Sequence, residues 1–202
     1  MRRSLTVLIQ ACNTIRQYCS DGKIFSECCS LLFPNSSPDE IATALDKNKK
    51  KLERALDLIT PVSGLPEVLS DLRNEYGVRI AITTNRLRND GLEKVLSRAE
   101  LILGKNIDTV ITAGGELRPK PAPDIFYRAM LELGVRKNSK QDRNSCLVVE
   151  DGVSGLVAVK GVLDTCAVLW GWANEEELNK QNPTYLIKNP EELKLIVLGE
   201  IR

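Results

Sequence analysis

At 202 residues, 43% hydrophobic and 27% charged, the chain has the size and composition of one globular domain, or one domain carrying a small appendage. Its 28 basic and 27 acidic residues leave a net charge of +1, which excludes a global field for nucleic acid or an anionic membrane. The absence of His excludes Ser-His-Asp and Cys-His catalysis and His-ligated zinc.

In chain order, Val7, Leu8 and Ile9 predict a short buried strand that runs into Gln10, Cys12, Asn13 and Thr14. The apolar run after Met1-Arg2-Arg3 is too short for a secretory leader, and no stretch has the length of a membrane span. Cys12, Cys19, Cys28, Cys29, Cys146 and Cys166 form no CxxC pair, so reduced thiols in a cytoplasmic compartment are expected. Residues 16–60 read as a small helical insert. Ser37 is its N-cap, Pro38, Asp39 and Glu40 occupy the first turn, and Ile41, Leu45, Leu52, Leu56 and Ile59 repeat at helical spacing. The "DKNKKKLER" run inside it is a solvated face.

From Pro61 onward helix and strand patterns alternate. "SGLPEVLSDLRNEYG" predicts a helix stopped at Gly77, and "VRIAITT" a strand. "NDGLEKVLSRAELIL" returns to helical spacing, and "IDTVITA" is the next strand. "APDIFYRAMLELG" is a helix closed by Gly134. It is followed by the strand "SCLVVE", the helix "GLVAVKGVL" and the strand "TCAVLW". Near-continuous apolar strands separated by helices predict a doubly wound, Rossmann-like α/β fold with a parallel sheet covered on both faces. The core is expected from residues 1–15 and 61–202, with 16–60 as a helical cap.

Ligands of such sheets bind beyond the carboxyl ends of the strands. Those ends carry Gln10 to Thr14, then Thr83-Thr84-Asn85, then "RPKPAPD" with Lys120, then Glu150-Asp151 before "GVSG". Adjacent carboxylates are hard oxygen ligands for Mg2+. A lysine neutralises a phosphoryl group, and a threonine hydroxyl with its backbone N–H holds phosphoryl oxygens. Each feature alone has a plain structural reading; their order at successive strand ends points to phosphoryl chemistry.

"IAITTN", "RPKPAPDIFYRAMLELGV" and "CLVVEDGVSGLVAVKG" resemble motifs two, three and four of the haloacid dehalogenase-like (HAD) hydrolases, in the subgroup of phosphoglycolate phosphatases and β-phosphoglucomutases. The tail "PTYLIKNPEELKLIV" resembles that family's last strand and closing helix. The resemblance implies Thr84 and Asn85 for phosphate binding, Lys120 as the motif-three lysine, and Glu150 and Asp151 as metal ligands. Motif one of the family reads Asp-x-Asp-Gly-Thr-Leu, the first Asp being the nucleophile and the second the acid/base. Laid on "VLIQACNTI" without a gap, it puts Gln10 at the nucleophile, Cys12 at the acid/base and Asn13 at the glycine, and keeps Thr14. A neutral glutamine amide cannot attack phosphorus. Cys12 is offset from the attacking position and has no His to activate it.

The resemblance therefore implies a phosphatase-type protein that is catalytically impaired or inactive. Its Mg2+ site would be weakened, and phosphate or a small phosphorylated metabolite would be its ligand. Two alternatives stand beside it: an active Mg2+-dependent phosphatase working by a non-standard route, and a non-enzymatic interaction module. The short insert departs from the fuller helical cap usual in the subgroup, which implies a more open site.

Overall fold

A computed structural model of the chain describes residues 30–31, 34–44, 46–47, 60–85 and 106–200. The expected strand at residues 7–9, the helix expected over 89–103 and the far end of the insert helix lie outside the described residues.

Within the insert, residues 38–44 and 46–47 are helical. Ser37 is the N-cap, as its sequence position predicts. Its Oγ accepts from Glu40 N at 3.2 Å while Glu40 Oε2 accepts from Ser37 N at 2.7 Å, a reciprocal pair that satisfies two backbone donors.

Eleven elements follow among the described residues. They are α1 (Leu65–Asn74), β1 (Ala81–Thr84), β2 (Thr109–Thr112), α2 (Asp124–Glu132), α3 (Lys140–Arg143) and β3 (Leu147–Glu150). After them come α4 (Val153–Val159), β4 (Asp164–Val168), α5 (Glu175–Asn179), β5 (Tyr185–Ile187) and α6 (Pro190–Val197). All strand pairings between these elements are parallel: β1 with β2, β3 with β4, and β4 with β5. β1 and β3 each have one edge with no partner among the described residues.

β4 shows why the strands read as continuous apolar runs. Cys166 and Val168 face a cluster with Val68 and Leu72 of α1 and Leu193 and Ile196 of α6. Between them, Ala167 points the other way, into a cluster with Leu156 of α4 and Leu178 of α5. Period-2 alternation thus buries both faces, the signature of a doubly wound sheet. A third cluster joins Ile111 of β2 to Ile125, Phe126, Ala129 and Met130 of α2 and Val159 of α4.

Local signals set the helix ends. α2 stops where Gly134 turns left-handed (φ 69°). Its N–H donates to Leu131 O at 2.9 Å and Val135 N to Met130 O at 2.7 Å, which satisfies the last carbonyls. α5 opens on Asn174, whose Oδ1 accepts from Glu177 N at 2.9 Å while Glu177 Oε2 accepts from Asn174 N at 2.8 Å. One expectation shifts. The helix read from "GLVAVKGVL" begins earlier, at Val153, and ends at Val159, because Gly161 leaves the helix with φ 72°.

Candidate active site

Thr84 is the last residue of β1 and Asn85 follows it, and β3 delivers Glu150 and Asp151 at the same edge of the fold. Between them the loop after β2 returns Lys120. A bidentate clamp holds this loop: Arg118 Nε and Nη2 donate to Asp124 Oδ2 and Oδ1, both at 2.8 Å. The side-chain hydrogen bond from Arg118 holds the Asp124 carboxyl at about 2, below its ordinary 3.8.

Asn85 grips the same loop from the other side. Its Oδ1 accepts from Lys120 N at 2.7 Å and its Nδ2 donates to Lys120 O at 3.1 Å. The amide therefore locks the Lys120 peptide to the end of β1, across 35 residues of sequence.

That lock aims the Lys120 side chain. Nζ donates to Thr83 O at 3.2 Å, ion-pairs with Glu150 Oε1, and lies 5.0 Å from the centroid of the Phe126 ring. Both side chains are nearly buried, at 10% exposure for Lys120 and 8% for Glu150. Burial pushes the Glu150 carboxyl above its usual range. The Lys120 ammonium pulls it back down, and the neighbouring Asp151 adds to the rise.

Asp151, the next residue, turns to the 170–173 segment. Its Oδ2 accepts from Trp172 N at 3.2 Å and its backbone O from Ala173 N at 3.0 Å. Two glycines make room for the pair of acids. A Cβ on Gly155 would overlap the Glu150 carboxylate, and one on Gly171 would overlap Asp151. Val149, Asp151, Trp170 and Trp172 then border a cavity of about 650 Å³.

Of the residues singled out in the sequence, Thr84, Asn85, Lys120, Glu150 and Asp151 converge on one edge. Gln10 and Cys12 lie outside the described residues. The sequence reading missed Arg118, Asp124, Gly155 and Gly171 as supports. The glycine of "GVSG" within a helical run was the available signal for Gly155.

No three acids, cysteines or histidines gather into a metal cluster among the described residues. Two hard carboxylates are present, but Glu150 is neutralised by Lys120. Asp151 is ion-paired with no described residue and is the donor that suits Mg2+.

Fold and edge together define a doubly wound α/β protein that gathers a lysine, hydroxyls and carboxylates beyond its strand ends. A family model for haloacid dehalogenase-like hydrolases matches residues 33–162, and the chain belongs to that family. It is 32% identical over 130 residues to Protein CbbY of Rhodobacter capsulatus, an alignment covering 62% of this chain and 54% of that one. The chain thus spans a little over half of that curated relative. A hydrolase from Pseudomonas syringae superposes with a TM-score of 0.69 at 22% identity, covering 93% of this chain and 82% of that one. A β-phosphoglucomutase from Clostridium difficile superposes with a TM-score of 0.65 at 22% identity, covering 89% and 77%. These likenesses show the fold.

No helix among the described residues is long and apolar enough to cross a membrane.

Proposed function

We propose that this chain is a phosphatase-type HAD protein that binds phosphate or a small phosphorylated metabolite but is impaired in, or incapable of, hydrolysing it. The observation that carries the binding half is Lys120. Its ammonium is nearly buried and is fixed by Thr83 O and Glu150 at the carboxyl ends of β1 and β3. A desolvated cation at a sheet's carboxyl edge, next to the strand end that carries Thr84, suits a phosphoryl oxygen. Mg2+, as the family's metal, would be held by Asp151 with Glu150 behind it, and would supply charge neutralisation at the phosphoryl group. With Glu150 tied to Lys120, that site is weak.

The impaired half rests on the sequence. Residues 1–15 are proposed to belong to the core. Two observations support this: β1 and β3 each have one edge with no strand partner among the described residues, and Lys120 touches Thr83 of the one and Glu150 of the other. Val7-Leu8-Ile9 would then bring Gln10 and Cys12 to the site, where neither supplies a nucleophilic carboxylate. Residues 16–60 would form a reduced cap. A cytoplasmic location fits the free thiols of Cys146 and Cys166.

The test is phosphate release from p-nitrophenyl phosphate, sugar phosphates and phosphoglycolate with Mg2+, run on wild type and on Gln10→Asp/Cys12→Asp. Wild type is expected to be inert and the double variant to gain turnover. Wild-type turnover that disappears in Lys120→Ala overturns the impairment. A folded double variant that stays inert overturns the placement of Gln10 and Cys12.

A further inference from the structure

At the opposite edge of the sheet, the amino ends of β4 and β5, a second cavity of about 360 Å³ opens. Its wall brings together three cations, Lys140 and Arg143 of α3 and Lys160 just past α4, against the single acid Asp164. Gln181 and Asn182 complete the polar rim, Gln181 Nε2 also donating to Glu177 O at 3.5 Å, and Leu156 and Leu163 contribute its apolar part. Lys140 and Lys160 have no ion-pair partner among the described residues, whereas Lys180, Lys188 and Lys194 do. Arg143 spends one nitrogen, Nη1, on Lys137 O at 2.6 Å. Asp164 is engaged on the rim, its Oδ1 accepting from Thr184 Oγ1 at 3.4 Å.

The frame is fixed. Thr165 N donates to Thr184 Oγ1, and Thr184 N to Thr165 Oγ1, both at 3.1 Å, which ties the starts of β4 and β5 together beside the cavity. A single helix-end cation accounts for Lys160, which follows the last turn of α4. It does not account for two more cations brought from α3 to the same hollow. The excess positive charge selects an anion, and the carboxamides supply hydrogen bonds to its oxygens. Among the described residues, no aromatic ring lines the cavity to stack a base, and no thiol lines it to take a soft metal. Its volume falls in the range of small-molecule sites.

We propose that this cavity is a second binding site, separate from the Lys120 edge, for a small metabolite carrying two or more anionic groups, carboxylate or phosphate. Carboxylate and phosphate ligands share the recognition chemistry, so citrate and pyrophosphate serve as the two probes.

Titration calorimetry at constant ionic strength is expected to show binding to wild type and roughly tenfold weaker binding to Lys140→Ser/Lys160→Ser, which loses two exposed ionic contacts. Lys140→Arg/Lys160→Arg is expected to keep the affinity. In amide NMR spectra, the shifts caused by citrate should centre on residues 160–165 and 181–184. Three results would overturn the proposal: no binding of either probe at millimolar concentration, equal affinity in the Ser variant, or shifts centred on residues 83–85 and 150–151. Stronger binding of citrate assigns the site to carboxylates, and stronger binding of pyrophosphate to phosphates.

Discussion

Lys120→Met isolates the one buried ion pair at the candidate site. The substitution keeps much of the aliphatic stem over Phe126 but removes the ammonium, leaving Glu150, 8% exposed, without its cation and Thr83 O without its donor. Were the pair solvated, the loss would be about 0–1 kcal/mol. At 10% and 8% exposure it is not, and breaking such a pair from one side costs about 3–5 kcal/mol. That is a large share of the roughly 5–15 kcal/mol that holds a domain folded. Glu150→Met should also destabilise, because it strands the ammonium. The combination Lys120→Met/Glu150→Met removes both charges and should destabilise less than either single change, leaving about 1–2 kcal/mol for the orphaned Thr83 carbonyl. Urea unfolding followed by circular dichroism measures all four proteins. Singles that each lose under about 1 kcal/mol, or a double whose loss equals their sum, would refute a desolvated, coupled pair.

Two further outcomes follow from the supports. Gly155→Ala gains at most about 1 kcal/mol in helix propensity, but its Cβ meets the Glu150 carboxylate, so a net loss of about 1–2 kcal/mol is expected in thermal unfolding. Asp124 titrates at about 2 when folded against an ordinary 3.8, so its contribution to stability is full above about pH 4 and fades as pH falls toward 2. Arg118→Gln should move that titration back toward 3.8, read from the carboxyl carbon shift by NMR.

The alternation from Pro61 onward was legible because the strands are rich in apolar residues, β4 being buried on both faces, and several helix ends carry a local marker. Ser37 with Glu40, Gly134 and Asn174 with Glu177 act within a few residues of themselves, and local signals of that kind survive in a single sequence. The strand-end rule likewise brought Thr84, Lys120, Glu150 and Asp151 to one edge. Beyond the reach of periodicity were contacts across 30 residues or more. Asn85 has the composition of a phosphate ligand, yet both ends of its amide are engaged by the Lys120 peptide, and only the path of the loop from Gly114 to Pro121 decides that.

The carboxylates carry this point furthest. Read in sequence, Glu150 and Asp151 are a pair of adjacent hard ligands. At the end of a strand, however, neighbouring side chains point to opposite sides. Glu150 goes inward to Lys120 and against Gly155, while Asp151 goes to the 170–173 segment and against Gly171. They therefore divide the work. Glu150 sets the position of the cation, and Asp151 is the carboxylate that still offers charge to the cavity beside it. A protein in which the two were interchangeable would tolerate Glu150→Asp, whereas here the shorter chain withdraws the carboxylate from Lys120. The space that Gly155 keeps open fits glutamate at that position.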